Sequence, residues 1–227
     1  MPLSDYLNTY PIIFKVSNGN IIIENELFTG DQSIPIFNTD LINLIKWEDY
    51  NTDMSCEFEK PQNGKKSIHE VVSEILTEDT SLDAILYDHG TGEIADFITI
   101  KEIEKEINIS LFHIKAMKSN KYNNNVSDIY EVCQQGIKSL IWLKSCLFFL
   151  QKIKQRQKTN HCKILKGDNA FENILKSNKQ LSAEIIVVQP AIKKNLSIPE
   201  KFQEVLAAAN MYIKNSGRTK HFSIWGS

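Results

Sequence analysis

The sequence has 227 residues, 42% of them hydrophobic and 24% charged, and a formal net charge of −2. This apolar content excludes a disordered chain, and 9 Gly with 6 Pro exclude collagen-like and low-complexity classes. The charge is unevenly placed: residues 1–100 carry 5 Lys+Arg against 18 Asp+Glu, and residues 101–227 carry 21 against 10, which suits either a polyanion-binding half or lysine-rich solvated helices.

In chain order, Ile12 to Val16 and Ile21 to Ile23 flank Ser17-Asn18-Gly19-Asn20, and Asn-Gly between β-branched runs predicts a β-hairpin. Residues 25–66 are mixed and polar, so residues 1–66 are expected to form an extension packed on a core of residues 67–227. Ser67 suits the N-cap of a helix whose apolar residues Ile68, Val71, Val72, Ile75 and Leu76 recur at helical spacing. Three strands follow, Leu82 to Asp88, Glu93 to Ile100 and Ile107 to Ala116, and their short links imply a meander. Ser127 is expected to cap one long helix reaching about Gln157, whose end is crowded with Lys152, Lys154, Arg156 and Lys158. Ala183 to Val188 predicts a strand, Ser197-Ile198-Pro199-Glu200 a capping box opening a helix, and His221 to Trp225 a last strand. The order of elements predicts an α/β fold with a mixed central sheet flanked by helices.

Cys56, Cys133, Cys146 and Cys162 form no CxxC pair and match no zinc spacing, so reduced thiols in a cytoplasmic protein are expected. Met1 to Asn8 lack the basic-then-apolar pattern of a secretion signal. The most apolar stretch, Ser139 to Leu150, is about one third short of a membrane span and contains Lys144.

Chemistry concentrates around two strands. Asp96 sits among Ala95, Phe97 and Ile98, where burying an unpartnered carboxylate is costly, and Lys115 follows the apolar run Leu111-Phe112-His113-Ile114. Strand alternation puts His113 and Lys115 on one face, and pairing of the two strands brings Asp96 towards it. A carboxylate with a second oxygen donor holds a hard divalent cation, which polarises a phosphodiester and its attacking water. A lysine beside it offsets the charge that develops in the transition state. The same residues also read as a buried Asp96–Lys115 ion pair without a substrate. Glu93, three positions before Asp96, is expected on the opposite strand face unless a bulge intervenes. Asp88 reads equally as a turn-flanking residue. His69, His89, His161 and His221 are scattered, without HxxxH or HExxH spacing, and read as surface or structural residues. Gly64-Lys65-Lys66-Ser67 lacks the earlier glycine of a phosphate loop, so no ATPase motor is expected.

The run Gly92-Glu93-Ile94-Ala95-Asp96-Phe97-Ile98, a connector, and a strand ending in His113-Ile114-Lys115 resemble the PD-(D/E)XK nuclease superfamily. Asp96 matches its first acid and Lys115 its lysine, whereas His113 stands in the place of its second acid. More narrowly, these segments and Tyr130-Glu131-Val132-Cys133-Gln134-Gln135-Gly136-Ile137-Lys138-Ser139 resemble nuclease-like regions at the C-terminus of bacterial DEAD/DEAH-box helicase-family proteins. The similarity runs on through Val187-Val188-Gln189-Pro190 to Gly226-Ser227. The resemblance implies a restriction-endonuclease-like core and a Mg2+ or Mn2+ cofactor. It implies Asp96, Lys115, His113, Glu93 and Gln135 as catalytic residues, and a metal held by Asp96 with Glu57, Glu70 or Asp88. For Glu70 the plainer reading is a solvent-facing helix charge. Lys118 and Lys138 are expected phosphate contacts, Lys138 as the neighbour of Gln135 on one helix face.

The expected function is metal-dependent phosphodiester hydrolysis of nucleic acid, DNA ahead of RNA, by an endonuclease or nuclease subunit in bacterial defence, restriction or repair. A separate helicase or other ATPase, or a second copy of the chain, is the expected partner. The alternative is a catalytically inactive nucleic-acid-binding or assembly module on the same scaffold, which His113 in place of an acid favours. The lysine-rich, arginine-poor basic half suits phosphate contacts rather than base reading.

Overall fold

The structure is a computed structural model that describes residues 2–9, 13–15, 21–23, 26–28, 36–58, 61, 64–118, 125–168, 170–177, 179–194, 196–219 and 221–227. The chain divides into two compact units, Met1–Pro35 and Ile36–Ser227. The first holds helix α1 (Leu3–Thr9) and an antiparallel sheet of β1 (Ile13–Lys15), β2 (Ile21–Ile23) and β3 (Glu26–Phe28). Ile13 faces Ile23 and Lys15 faces Ile21, the pairing expected of the predicted hairpin, whose turn lies outside the described residues.

The second unit is built on a seven-stranded mixed sheet. Its order is β4 (Ile42–Leu44), β10 (His221–Gly226), β9 (Gln180–Val188), β7 (Glu106–Ile114), β6 (Phe97–Glu102), β5 (Ala84–Asp88) and β8 (Cys162–Lys166). The first four run parallel, and β7, β6, β5 and β8 pair antiparallel. The predicted meander is therefore β5–β6–β7, with Phe97 opposite Phe112 and Ile98 opposite Leu111. Residues 36–66, assigned from sequence to the extension, belong to this unit. Phe37, Ile42 and Trp47 are buried, β4 pairs with β10, and the Trp47 indole N–H donates to the Gly226 carbonyl at 3.1 Å. A three-residue strand carries too little periodicity to be read in advance.

Both faces of the sheet are covered, so its central strands are apolar at consecutive positions rather than alternating. Helix α2 (Ile68–Glu78) buries Ile68, Val71, Val72 and Leu76 against Ile85, Phe97, Phe112, Ile114, Ile186 and Val188. Each such side chain contributes about 1.5–3 kcal/mol on burial. The opposite face, Leu86, Ile98, Ile109, Leu111, Ile185 and Val187, lies in one core with residues of α3 (Val126–Ser139), α4 (Cys146–Lys158), α5 (Ala170–Lys176) and α6 (Glu200–Asn215).

The single long helix expected from Ser127 to about Gln157 is two. Asn125, not Ser127, is the N-cap of α3, and its side chain accepts the Ser127 N–H at 3.3 Å. After a short 3-10 turn (Leu140–Trp142), Ser145 caps α4 by accepting the Phe148 N–H at 3.2 Å. An apolar stripe runs through both helices and conceals the break. The capping box expected at Ser197 does not form either: Pro199 is the N-cap of α6 and makes no side-chain cap. Among the described residues no helix is long and apolar enough to cross a membrane. All four cysteines are thiols rather than disulfides.

Candidate functional site

The site is assembled where β5 ends, β6 begins and β7 runs past them. Strand β5 ends at Asp88, and residues 89–96 turn back before β6 starts at Phe97. Gly90 (φ 105°) and Gly92 (φ 77°) take the left-handed conformations that side chains disfavour. The turn is fastened from beneath by a buried ion pair. Asp88 Oδ1 accepts the Arg156 Nε–H at 2.7 Å and Asp88 Oδ2 accepts the Ile94 N–H at 2.7 Å, while Arg156 also donates to the carbonyls of Thr91 and Gly90. Burial outweighs these bonds and raises the Asp88 carboxyl above its ordinary value. With both oxygens engaged, Asp88 is a structural residue and not the metal-holding acid expected from sequence.

Asp96, buried at the mouth of β6, is the centre of the site. Its Oδ2 accepts the Ile114 N–H at 2.8 Å, taking the place of a ladder bond where β7 outruns β6. Its Oδ1 lies 3.3 Å from His89 Nδ1 and 3.5 Å from His69 Nε2. His69 is on the first turn of α2 and His89 opens the turn after β5. Two histidines read as scattered thus meet at one carboxylate, because helix packing and strand return join positions that sequence spacing does not. The hydrogen bond to Asp96 raises the His89 pKa against the effect of burial. Burial lowers that of His69 to about 4. His69 Nδ1 sits 3.2 Å from the Tyr87 hydroxyl, a phenol that burial pushes up to about 12, whereas His69 Nε2 makes no hydrogen bond.

Lys115 follows β7 by one residue, and its neighbours in the chain are bracketed by two carboxylates. Asp96 takes the Ile114 N–H, and Glu57 Oε2 takes the Ala116 N–H at 3.2 Å. Asp96 and Glu57 thus bond amides two residues apart in the chain, one on each side of Lys115. The Lys115 ammonium is 2.8 Å from Glu131 Oε1 on α3 and 3.5 Å from Glu57 Oε2. Burial lowers its pKa, but the Glu131 hydrogen bond and the charges of both carboxylates outweigh burial and leave it raised. Among the described residues its ion-pair partners are these two and not Asp96, so the direct pair considered from sequence is not formed. Glu70 is turned elsewhere: its Oε2 accepts the Ser67 N–H at 2.8 Å in a capping box, an N-terminal helix duty in place of the expected metal ligation.

A cavity of about 350 Å³ opens over the turn that precedes Asp96, lined by Glu93, Ile94, His113, Gln135, Lys138 and Trp142 among others, with Asp96 itself outside the lining. Four residues expected at the site from sequence therefore share one cavity. Glu93 belongs to the turn rather than to a strand, so alternation does not set its direction. Its Oε2 accepts the Gly90 N–H at 3.0 Å, and burial together with the Asp96 charge pushes its pKa up to about 7. His113 is buried, makes no hydrogen bond at either ring nitrogen, and is lowered by burial to about 4. Gln135 Oε1 is likewise buried and without a partner. Gly136 lets α3 approach this closely, since a Cβ there would lie 2.8 Å from Ile185 Cγ2 and 3.7 Å from His113 Cδ2. Lys138 is exposed and also lines a neighbouring cavity of about 620 Å³ with Lys144 and Arg218. Lys118 is exposed and donates to Ser127 Oγ at 3.4 Å, away from these lining residues.

Comparison of the chain with protein-family models, with curated proteins and with solved structures returns no match.

Proposed function

We propose that the protein is a metal-dependent nuclease that hydrolyses phosphodiester bonds in nucleic acid, DNA ahead of RNA, with Asp96, Glu57 and Lys115 at its centre. The observation that carries this reading is the bracketing of Lys115: two carboxylates bonded to the flanking amides, one of them 3.5 Å from the ammonium. A divalent ion is compatible with the site. Asp96 Oδ1 and His69 Nε2, which makes no hydrogen bond, lie 3.5 Å apart, and in the tautomer protonated at Nδ1 both are electron-pair donors that a shared cation would bridge. Such an ion, held at Asp96, supplies Lewis acidity towards the phosphate and a lowered pKa for bound water.

The chain's own residues supply the rest. Lys115, kept protonated by Glu131 and Glu57, faces the negative charge that grows on the phosphate oxygens. Glu93, poised near neutrality with Oε2 fixed by the Gly90 amide, exchanges a proton through Oε1 with water in the cavity. The unpartnered nitrogens of His113 and Oε1 of Gln135 offer hydrogen bonds to a substrate entering beside them. Lys138, Lys144 and Arg218 extend positive charge away from the cavity, as a polyanionic strand requires. The proposed setting is bacterial defence, restriction or repair, with a separate motor subunit or a second copy as partner.

One observation favours the catalytically inactive alternative: the ammonium of Lys115 is already held 2.8 Å from Glu131. Incubating the purified chain with DNA and with RNA in Mg2+ or Mn2+ decides between the two. Cleavage that falls about 100-fold or more in Asp96→Asn and in Lys115→Met supports the nuclease. Cleavage that survives both substitutions overturns it. Steeply salt-dependent binding without cleavage assigns the scaffold role.

A further inference from the structure

We infer that His69, His89 and Asp96 form a metal site of two imidazoles and one carboxylate that takes a first-row transition ion, from Mn2+ to Zn2+, in preference to Mg2+. The inference rests on the proposed function only in taking Asp96 as the metal-holding acid. It adds two ligands that sequence spacing does not reveal and narrows the ion.

The three side chains converge on one point, where a bound ion would replace the proton of the His89–Asp96 hydrogen bond. One ligand atom from each residue lies within 4.8 Å of the others, and Asp96 Oδ1 is 3.3 Å from His89 Nδ1 and 3.5 Å from His69 Nε2. Metal bonds of about 2.0–2.2 Å place atoms on a common ion roughly 3–3.5 Å apart, which both distances to Asp96 already match, while the two imidazoles lie within 4.8 Å of each other. His69 Nε2 is enclosed and makes no hydrogen bond, an unusual state for a buried ring nitrogen and one that a bound cation accounts for. The outer contacts are also those of a metal site. Tyr87 hydroxyl holds the far nitrogen of His69 at 3.2 Å, and the Ile114 amide holds the far oxygen of Asp96 at 2.8 Å, which aims both ligand atoms inward. Phe58 lies against the His89 ring, centroids 4.4 Å apart, and gives the site an apolar wall.

The donor set selects the ion. Mg2+ holds oxygen ligands and parts reluctantly with its waters, whereas imidazole suits the later first-row ions, and one carboxylate with two imidazoles accepts Mn2+ as well. Three protein ligands leave positions for water or a phosphate oxygen on the side where His89 is half-buried. Glu93 Oε2, 3.8 Å from His89 Nδ1, borders that side.

The full chain, stripped with a chelator, is titrated by calorimetry with Mn2+, Co2+, Zn2+ and Mg2+ in turn. One equivalent of at least one transition ion is expected, with Mg2+ weaker by about 100-fold or more. His89→Ala, at a half-buried position, and His69→Gln are each expected to weaken binding more than 10-fold, and Tyr87→Phe about 10-fold. Circular dichroism establishes that each variant is folded, and nitrogen modulation in the pulsed electron-spin spectrum of the Mn2+ form reports imidazole ligation without any assay of activity. Absence of transition-ion binding, Mg2+ binding as tight as Mn2+, or unchanged affinity in folded His89→Ala and His69→Gln overturns the inference. Cleavage in Mg2+ that needs Asp96 but neither histidine removes this site and leaves the nuclease. Tight histidine-dependent binding without any cleavage of nucleic acid keeps the site and removes the nuclease.

Discussion

Arg156 and Asp88 lie 68 residues apart in the chain, yet the guanidinium Nε sits 2.7 Å from the carboxylate Oδ1 in a pair almost wholly removed from solvent. The remaining guanidinium donors reach Thr91 and Gly90, so one side chain of α4 fixes the turn that carries His89, Glu93 and Asp96. Removing one partner strands the other as a buried charge. Arg156→Met is therefore expected to destabilise the protein by about 3–5 kcal/mol, and the double variant with Asp88→Asn to recover part of that loss. Urea unfolding of the two variants checks both expectations. If Arg156→Met costs less than about 1 kcal/mol, the clamp is not what holds the turn.

His113 gives a pH dependence of definite sign. Its folded-state pKa is about 4 against an ordinary 6.5, so the folded protein binds fewer protons than the unfolded chain between those values. Its contribution is complete above pH 6.5 and is lost as pH falls towards 4, by about 3 kcal/mol in all. Because neither ring nitrogen has a hydrogen bond, His113→Leu forfeits none and removes this slope while holding stability at pH 7. The slope that persists sums His69, lowered in the same way, with the opposite contributions of Glu93 and His89, whose pKa values are raised and whose stabilisation is lost as pH rises. Unfolding free energies measured from pH 4 to pH 8 test this. A slope unchanged in His113→Leu would contradict a buried neutral imidazole. Should His113 serve the substrate, nuclease activity falls in the same variant that keeps its stability.

The sheet and the site were legible to different depths for physical reasons. Strands β5, β6 and β7 stand out because covered strands are apolar at consecutive positions and turn residues separate them. Asp96 stood out because it interrupts such a strand, and Lys115 because it ends one. The sequence pairs Gln135 only with Lys138, as neighbours on one helix face, and leaves Glu93 on a separate element, and only the approach of α3 to β7 at Gly136 shows these residues and His113 around one cavity. His69 and His89 carried no signal, since their meeting depends on α2 packing across the end of β5. Asp88 and Glu70 misled for the opposite reason: an acid at a strand end or helix start looks the same whether it binds an ion, an arginine or a backbone amide. The partner, Arg156 or Ser67, is visible only in three dimensions.

Gly136 offers a test of how tightly that helix must sit. In an exposed helix, replacing glycine with alanine gains about 1 kcal/mol. Here the added Cβ would lie 2.8 Å from Ile185 Cγ2, so Gly136→Ala is expected to destabilise by about 1–3 kcal/mol as overpacking exceeds propensity. Ile185→Leu removes the offending γ2 methyl and is expected to recover part of the loss in the double variant. Thermal melts of the four proteins in this cycle measure the coupling, and additive effects would show that the two residues do not collide.

The two carboxylates around Lys115 are expected to separate function from stability. Glu131 is half exposed, and partly solvated ion pairs contribute about 0–1 kcal/mol, so Glu131→Gln is expected to leave the melting temperature within a few degrees. Under the nuclease reading its loss also changes cleavage by less than about 10-fold, since Glu131 meets only the ammonium, from a half-exposed position, and lies outside the pair of carboxylates proposed for the centre. Glu57→Gln is more telling. The amide oxygen of glutamine still accepts the Ala116 N–H, which preserves the loop, but the negative charge beside Lys115 is gone. Cleavage is expected to fall about 100-fold with little change in stability, whereas Glu57→Ala loses the amide bond as well and is expected to cost a further 1–2 kcal/mol of folding free energy. Activity in Glu57→Gln equal to that of the parent would mean that Glu57 serves only as a tether for residue 116, and the carboxylates at the centre of the proposed mechanism would reduce to Asp96.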